Sequence, residues 1–161
     1  MPRGKESEVH SPKRSAHEKF RVRPATLADA PQLASLAGQL GYASTPEQVA
    51  SRFREIAREA EHLILVAEDS AGHLAGYIEI FPFRTIGADA RIEIASLVVD
   101  QSCRSQGAGR LLMEHAESWG RANGFAEAGL RSNVIRERAH TFYEKLGYRV
   151  TKTQKSFRKK L

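Results

Sequence analysis

The sequence predicts an α/β fold, a mixed sheet with helices on both of its faces. Three observations carry that reading. Strand-type apolar runs and helical apolar stripes succeed one another in the order β-α-α-β-β-β-α-β-α-β. Within residues 92–112 a strand-type run passes through a glycine-bearing turn straight into an amphipathic helix. A chain of 161 residues with a 41% hydrophobic fraction is long and apolar enough for one domain with a real core.

The elements follow in order. Residues 1–19 mix charge, Pro, Gly and Ser and hold little apolar material beyond Val9, so they read as a disordered basic tail. The domain then runs over 20–161. Residues 20–24 form a short strand. Thr26 is an N-cap with Asp29 three residues on, and Leu27, Ala30, Leu33, Ala34, Leu36, Ala37 and Leu40 make one helical stripe that Gly41 stops. Thr45-Pro46-Glu47-Gln48 starts a second helix: a capping threonine, proline at the first position, Gln at the third. Its apolar face is Val49, Phe53, Ile56 and Ala57, and it ends near Ala60. Residues 63–67 and 74–83 are strands joined by the Asp69–His73 turn as a hairpin. A loop over 85–89 leads to a strand over 91–99. Residues 109–122 form a helix that Asn123-Gly124 ends. A strand over 125–131, a helix over 136–146 closed by Gly147, and a last strand over 148–157 complete the chain.

Composition narrows the function. The apolar runs are too short to span a bilayer, and the N-terminus has no secretory apolar core, so a cytoplasmic protein without membrane contact is expected. A single cysteine, Cys103, excludes an internal disulfide and a cysteine-rich metal site. The six histidines show no ligand spacing, and no metal is assigned. The net charge of +6 is uneven. Residues 1–99 hold 12 Lys/Arg against 13 Asp/Glu, whereas residues 100–161 hold 13 against 6. That basic half suits a polyanionic ligand, although a solvated basic face has the same composition. Nucleic acid ranks lower, because neither an RNP-type aromatic motif nor zinc-finger spacing is present.

The turn after residue 99 carries Arg104-Ser105-Gln106-Gly107-Ala108-Gly109-Arg110. Backbone N–H groups at such a turn, with the partial positive charge of the helix behind them, can hold a phosphate. The spacing is neither Gly-x-Gly-x-x-Gly nor the Walker pattern. Arg-x-x-Gly-x-Gly after an apolar strand resembles the signature of the GNAT superfamily of acyl-CoA-dependent N-acetyltransferases. A second stretch, from Asn133 through Ala139, Phe142-Tyr143 and Gly147-Tyr148, is similar to the last GNAT motif. The two stand in the family's order, and the likeness is specific over residues 74–150.

This resemblance implies a V-shaped mixed sheet of six or seven strands and acetyl-CoA as cosubstrate. It implies that the backbone of Leu97, Val98 and Val99 pairs with the pantetheine arm, and that Arg104, Ser105, Gln106, Gly107, Ala108, Gly109 and Arg110 hold the pyrophosphate. Asn133 binds CoA polar atoms or holds the turn before its helix. Tyr143 lies near the sulfur as general acid to the departing thiolate. The apolar alternation slips phase near Ala95-Ser96, as a β-bulge would make it. Glu93, upstream of the slip, is the candidate general base, with Glu79 in the preceding strand as the alternative. Cys103, beside Arg104, has nucleophile chemistry, but direct attack by an amine needs no enzyme nucleophile. Acetyl transfer to a primary amine of a small molecule or protein is the expected activity. A non-catalytic acyl-CoA sensor on the same fold and a basic nucleic-acid-binding module are the alternatives. The acceptor and a homodimer stay open.

Overall fold

A computed structural model describes residues 15–161. Most of the expected tail, residues 1–14, lies outside the described residues. Its end differs from the expectation. Ala16–Lys19 is one helical turn, α1, because the Ser15 N–H donates to Glu18 Oε2 at 2.7 Å and gives the first turn a local acceptor.

The chain divides into two compact units, one through Gly129 and one from Leu130. In the first, β1 (Arg21–Pro24) is followed by a 3-10 turn (Leu27–Asp29), α2 (Ala30–Gln39) and α3 (Pro46–Ile56). Then come β2 (Leu63–Glu68), β3 (Leu74–Thr85), β4 (Ala88–Val99), a second 3-10 turn (Gln101–Cys103) and α4 (Ala108–Ala122). β5 (Ala128–Leu130) crosses the division, and α5 (Glu137–Lys145) belongs to the second unit. The sheet order is β1-β2-β3-β4-β5. The first three pairings are antiparallel, and α4 is the crossover between the neighbours β4 and β5.

Among the described residues five strands form where six or seven were expected. Residues 148–157 join no ladder among the described residues, and Val150 and Phe157 are exposed. The cause is compositional: Arg149, Lys152, Gln154 and Lys155 fall on both alternating faces of this segment and leave neither one apolar enough to bury. The strand expected over 125–131 shrinks to three residues. The loop expected over 85–89 narrows to a two-residue turn at Ile86-Gly87, with Thr85 paired to Ala88 across the hairpin tip.

Helices cover both faces as expected. On one face Leu33 and Leu36 of α2 pack with Val66, Leu74 and Val98, flanked by Phe53 and Tyr77. On the other, α4 buries Leu111, Leu112, Met113 and Ala116. There Gly120 lies so close to the sheet that a Cβ would sit 2.9 Å from Ile92 Cδ1. An ion cluster ties β1, the first 3-10 turn and β2 together. The Arg23 guanidinium donates to both oxygens of Asp29 and to both of Glu68, at 2.8–3.0 Å.

The register between β3 and β4 slips by one residue. Glu79 pairs with Ser96, but Ile80 pairs with Ile94, so Ala95 is a bulge at the place where the sequence alternation breaks. Directly paired residues share a face. The bulge therefore puts Ser96 and Glu93, three apart in sequence, on the same face as Tyr77, Glu79 and Phe81.

Candidate active site

The turn into α4 is built from two directions. Asp100 anchors its start: the Ser102 N–H donates to Oδ1 at 2.8 Å, the Ser102 hydroxyl bonds to the same oxygen, and Gln39 Nε2 donates to Oδ2 at 2.8 Å. Those bonds, the Ser102 hydroxyl's first, hold the Asp100 carboxyl below its usual range. Gln39 closes the clamp, because its Oε1 accepts from the Gln101 N–H at 3.0 Å. The end of α2 thus fixes the loop. Neither composition nor spacing marks Gln39, which lies 61 residues from Asp100.

Further along, Ser105 has φ +62°, the one non-glycine residue with positive φ among those described. Gly107 follows with φ +93°. Left-handed residues at this turn point backbone N–H groups to one side, as an anion-binding concavity requires. Gly107 caps α4 without a side-chain bond, and α4 has no acidic residue in its first turn. The helical ladder begins with Leu111 N–H donating to Gly107 C=O. The N–H groups of Ala108, Gly109 and Arg110 therefore have no partner within the helix. Arg104 and Arg110 are exposed beside them, while Ala108 and Gly109 are buried. This donor set fits a diphosphate. Gly107 also serves packing, since a Cβ there would lie 2.6 Å from Ala16 Cβ of α1.

The end of β4 delivers Leu97, Val98 and Val99 to this turn. β5 borders β4 where the Ile92 N–H donates to Glu127 C=O at 3.0 Å, and three residues of β5 are too few to reach Leu97. On its other side β4 is drawn tightly to β3. Gly76 lies so close that a Cβ would sit 2.3 Å from the Val98 carbonyl oxygen. A glycine inside a strand is the signal for such an approach, and it was there to be read in Leu74-Ala75-Gly76.

The two candidate bases differ in surroundings. Glu93 is buried, and its Oε2 accepts from Arg91 Nε and Nη2 at 3.2 and 3.1 Å. Arg91 in turn lies over the Phe83 ring. Glu79 is oriented at both oxygens: His62 Nε2 meets Oε1 at 2.8 Å, and the Ser96 hydroxyl donates to Oε2 at 3.2 Å. His62 also meets Glu59 Oε2 through Nδ1 at 3.2 Å and packs on Phe81. Cys103 closes the second 3-10 turn, half-buried, with Sγ 3.7 Å from the Ser102 hydroxyl.

In the second unit, Asn133 shapes the turn before α5. Its Oδ1 accepts from the Ile135 N–H, and its carbonyl accepts from the Arg136 N–H and from His140 Nε2. Tyr143 sits between the rings of Phe142 and Tyr148. Burial pushes its phenol above the usual range, against an opposing pull from Arg136. Among the described residues no three His, Cys, Asp or Glu side chains gather as metal ligands, and no helix is long and apolar enough to cross a membrane.

The profile of the Acetyltransferase (GNAT) family matches residues 30–148, which include both sequence motifs. An uncharacterized N-acetyltransferase of Bacillus subtilis, YhdJ, is 30% identical over 59% of this chain and 66% of its own length. Glucosamine 6-phosphate N-acetyltransferase 1 of Oryza sativa subsp. japonica is 38% identical over 64% of this chain and 69% of its own. The chain thus spans about two thirds of these relatives. Among solved structures, glucosamine-6-phosphate N-acetyltransferase from Arabidopsis thaliana superposes with a TM-score of 0.75 at 25% identity, covering 88% of this chain and 99% of that one.

Proposed function

The chain belongs to the acetyltransferase (GNAT) family, and from that premise we propose that it moves an acetyl group from acetyl-CoA to a primary amine by direct attack in a ternary complex. The observation that carries this reading is the junction of β4 and α4. There an uncapped helix N-terminus, two left-handed residues and two arginines adjoin a strand end that the three residues of β5 do not reach. The N–H groups from Ser105 to Arg110 hold the pyrophosphate, with Arg104 and Arg110 adding charge. Leu97, Val98 and Val99 offer backbone donors and acceptors to the pantetheine arm. When bound, acetyl-CoA supplies an activated acyl group as its thioester. A backbone N–H near the bulge polarises the thioester carbonyl. Holding thioester and amine together is the main catalytic contribution. Tyr143, kept protonated by burial, gives its proton to the departing thiolate, and Asn133 fixes the approach to α5. The acceptor is a small-molecule amine; amino sugars come first because two relatives are named for glucosamine 6-phosphate.

Calorimetric titration with acetyl-CoA tests this reading, with an oligonucleotide titration beside it. Binding in the micromolar range is expected. Gly107→Ala, which meets Ala16 and a left-handed backbone, weakens it about tenfold or more while circular dichroism stays native. A chain that ignores acetyl-CoA overturns the proposal. Oligonucleotide affinity that falls steeply with salt then favours a nucleic-acid module.

A further inference from the structure

Two carboxylates share the sheet face at the bulge, and they differ in exposure and in partners. The Glu93 side chain is 3% exposed and lies in the fork of Arg91. A carboxylate so engaged has an internal counter-ion and almost no solvent-facing surface. The Glu79 side chain is 23% exposed, and its two oxygens are fixed by an imidazole and a hydroxyl instead of a guanidinium. It stands directly across from Ser96, the residue before Leu97. Nothing in the sequence links His62 to Glu79, 17 residues apart; the turn after α3 brings the imidazole over the sheet.

We infer that Glu79 is the catalytic proton acceptor for the amine, and that His62 is a positioning residue that aims its carboxylate. This rests on the acetyl-transfer reading above. The step balances simply: the N–H bond of the substrate ammonium breaks, its proton joins the Glu79 carboxylate, and the amine keeps the lone pair for attack. His62 Nε2 holds Oε1, and Ser96 steadies Oε2 without neutralising it. The groups around this pair are Glu59 against His62 Nδ1 and Phe81 against the ring. Next to Ser96 lies the Tyr77 phenol, which burial pushes above its usual range. Glu93, by contrast, is the partner of Arg91 and holds β4 below the bulge.

The test is steady-state kinetics on the full chain, reading free CoA thiol. Acetyl-CoA is offered with a panel of primary amines begun with glucosamine 6-phosphate, and each variant is titrated with acetyl-CoA by calorimetry. Glu79→Gln is expected to lower kcat about a hundredfold, with acetyl-CoA affinity changed less than about twofold. Its deficit shrinks as pH approaches the acceptor's own amine pKa, because a neutral amine needs no base. His62→Leu lowers kcat about tenfold, and His62→Gln, which still offers an N–H to Oε1, restores most of it. Arg91→Lys, which loosens the Glu93 pair without removing either charge, leaves kcat within about threefold. Glu79→Gln with unchanged kcat, or with a deficit independent of pH, overturns the assignment. A wild type that binds acetyl-CoA but acetylates no amine overturns the parent reading instead, and this one with it.

Discussion

α4 and α5 each follow a recognisable motif, yet the molecule supports them differently. α4 buries seven of its fifteen residues against the sheet, while α5 buries none of its nine. The Gly-rich turn before α4 is braced by Gln39 from α2 and by Ala16 from α1. In the turn before α5, Asn133 bonds to Ile135, Arg136 and His140. The braces on the turn before α4 come from elements far along the chain and leave no mark in the motif's own sequence. The consequences of substitution separate the two cases.

The largest expected effect is at Gly76. In Gly76→Ala the new Cβ meets a backbone oxygen, which cannot swing away as a side chain can. A loss of about 3 kcal/mol in urea unfolding is expected, together with weaker acetyl-CoA binding, because β4 must shift where Val98 and Val99 lie. A native-like midpoint would show that the β3–β4 approach is not what fixes this end.

Arg23→Ala comes next, at roughly 2–3 kcal/mol, because it strands the buried Asp29 carboxylate. The pH dependence has a definite sign. The Arg23 guanidinium, by hydrogen bonding, holds the Asp29 and Glu68 carboxyls below their usual range. Carboxyls depressed in the folded state stabilise it above their unfolded values, near pH 4, and lose that contribution as pH falls further. Wild-type stability should therefore drop below about pH 4, and Arg23→Ala should flatten that drop in acid-unfolding curves.

The smallest effect on stability belongs to the second unit. Tyr143→Phe keeps the ring contacts with Phe142 and Tyr148, so unfolding changes by less than about 0.5 kcal/mol. If the phenol is the acid, kcat still falls about tenfold with acetyl-CoA affinity retained. Turnover equal to wild type would remove that role and leave the tyrosine a packing residue.

Much of the fold was readable because it is local. Thr45 and Gln48 cap α3 reciprocally as their spacing announces: the Gln48 N–H donates to Thr45 Oγ1, and the Thr45 N–H to Gln48 Oε1. Gly107 takes the left-handed conformation that the strand–turn–helix pattern demands. The phase slip at Ala95-Ser96 became a bulge because side-chain alternation along a strand is itself a local rule. The expected final strand failed for the complementary reason. A strand needs a partner, and residues 148–157 offered β-formers without a face to bury.

The sequence by itself determined the family motifs, the order of the elements from β1 to α5, the cap and glycine positions and the two carboxylates worth considering. All of these depend on residues within a turn or two of one another. Tertiary structure decided how Glu79 is aimed. Arg91 engages Glu93 from two residues away on the same strand, whereas His62 and Ser96, each 17 residues from Glu79, aim its carboxylate because sheet register and the turn after α3 bring them to it. It also decided that Gln39 and Ala16 brace the turn before α4. Such pairings arise from burial and register summed over the whole chain, which no short window of sequence contains.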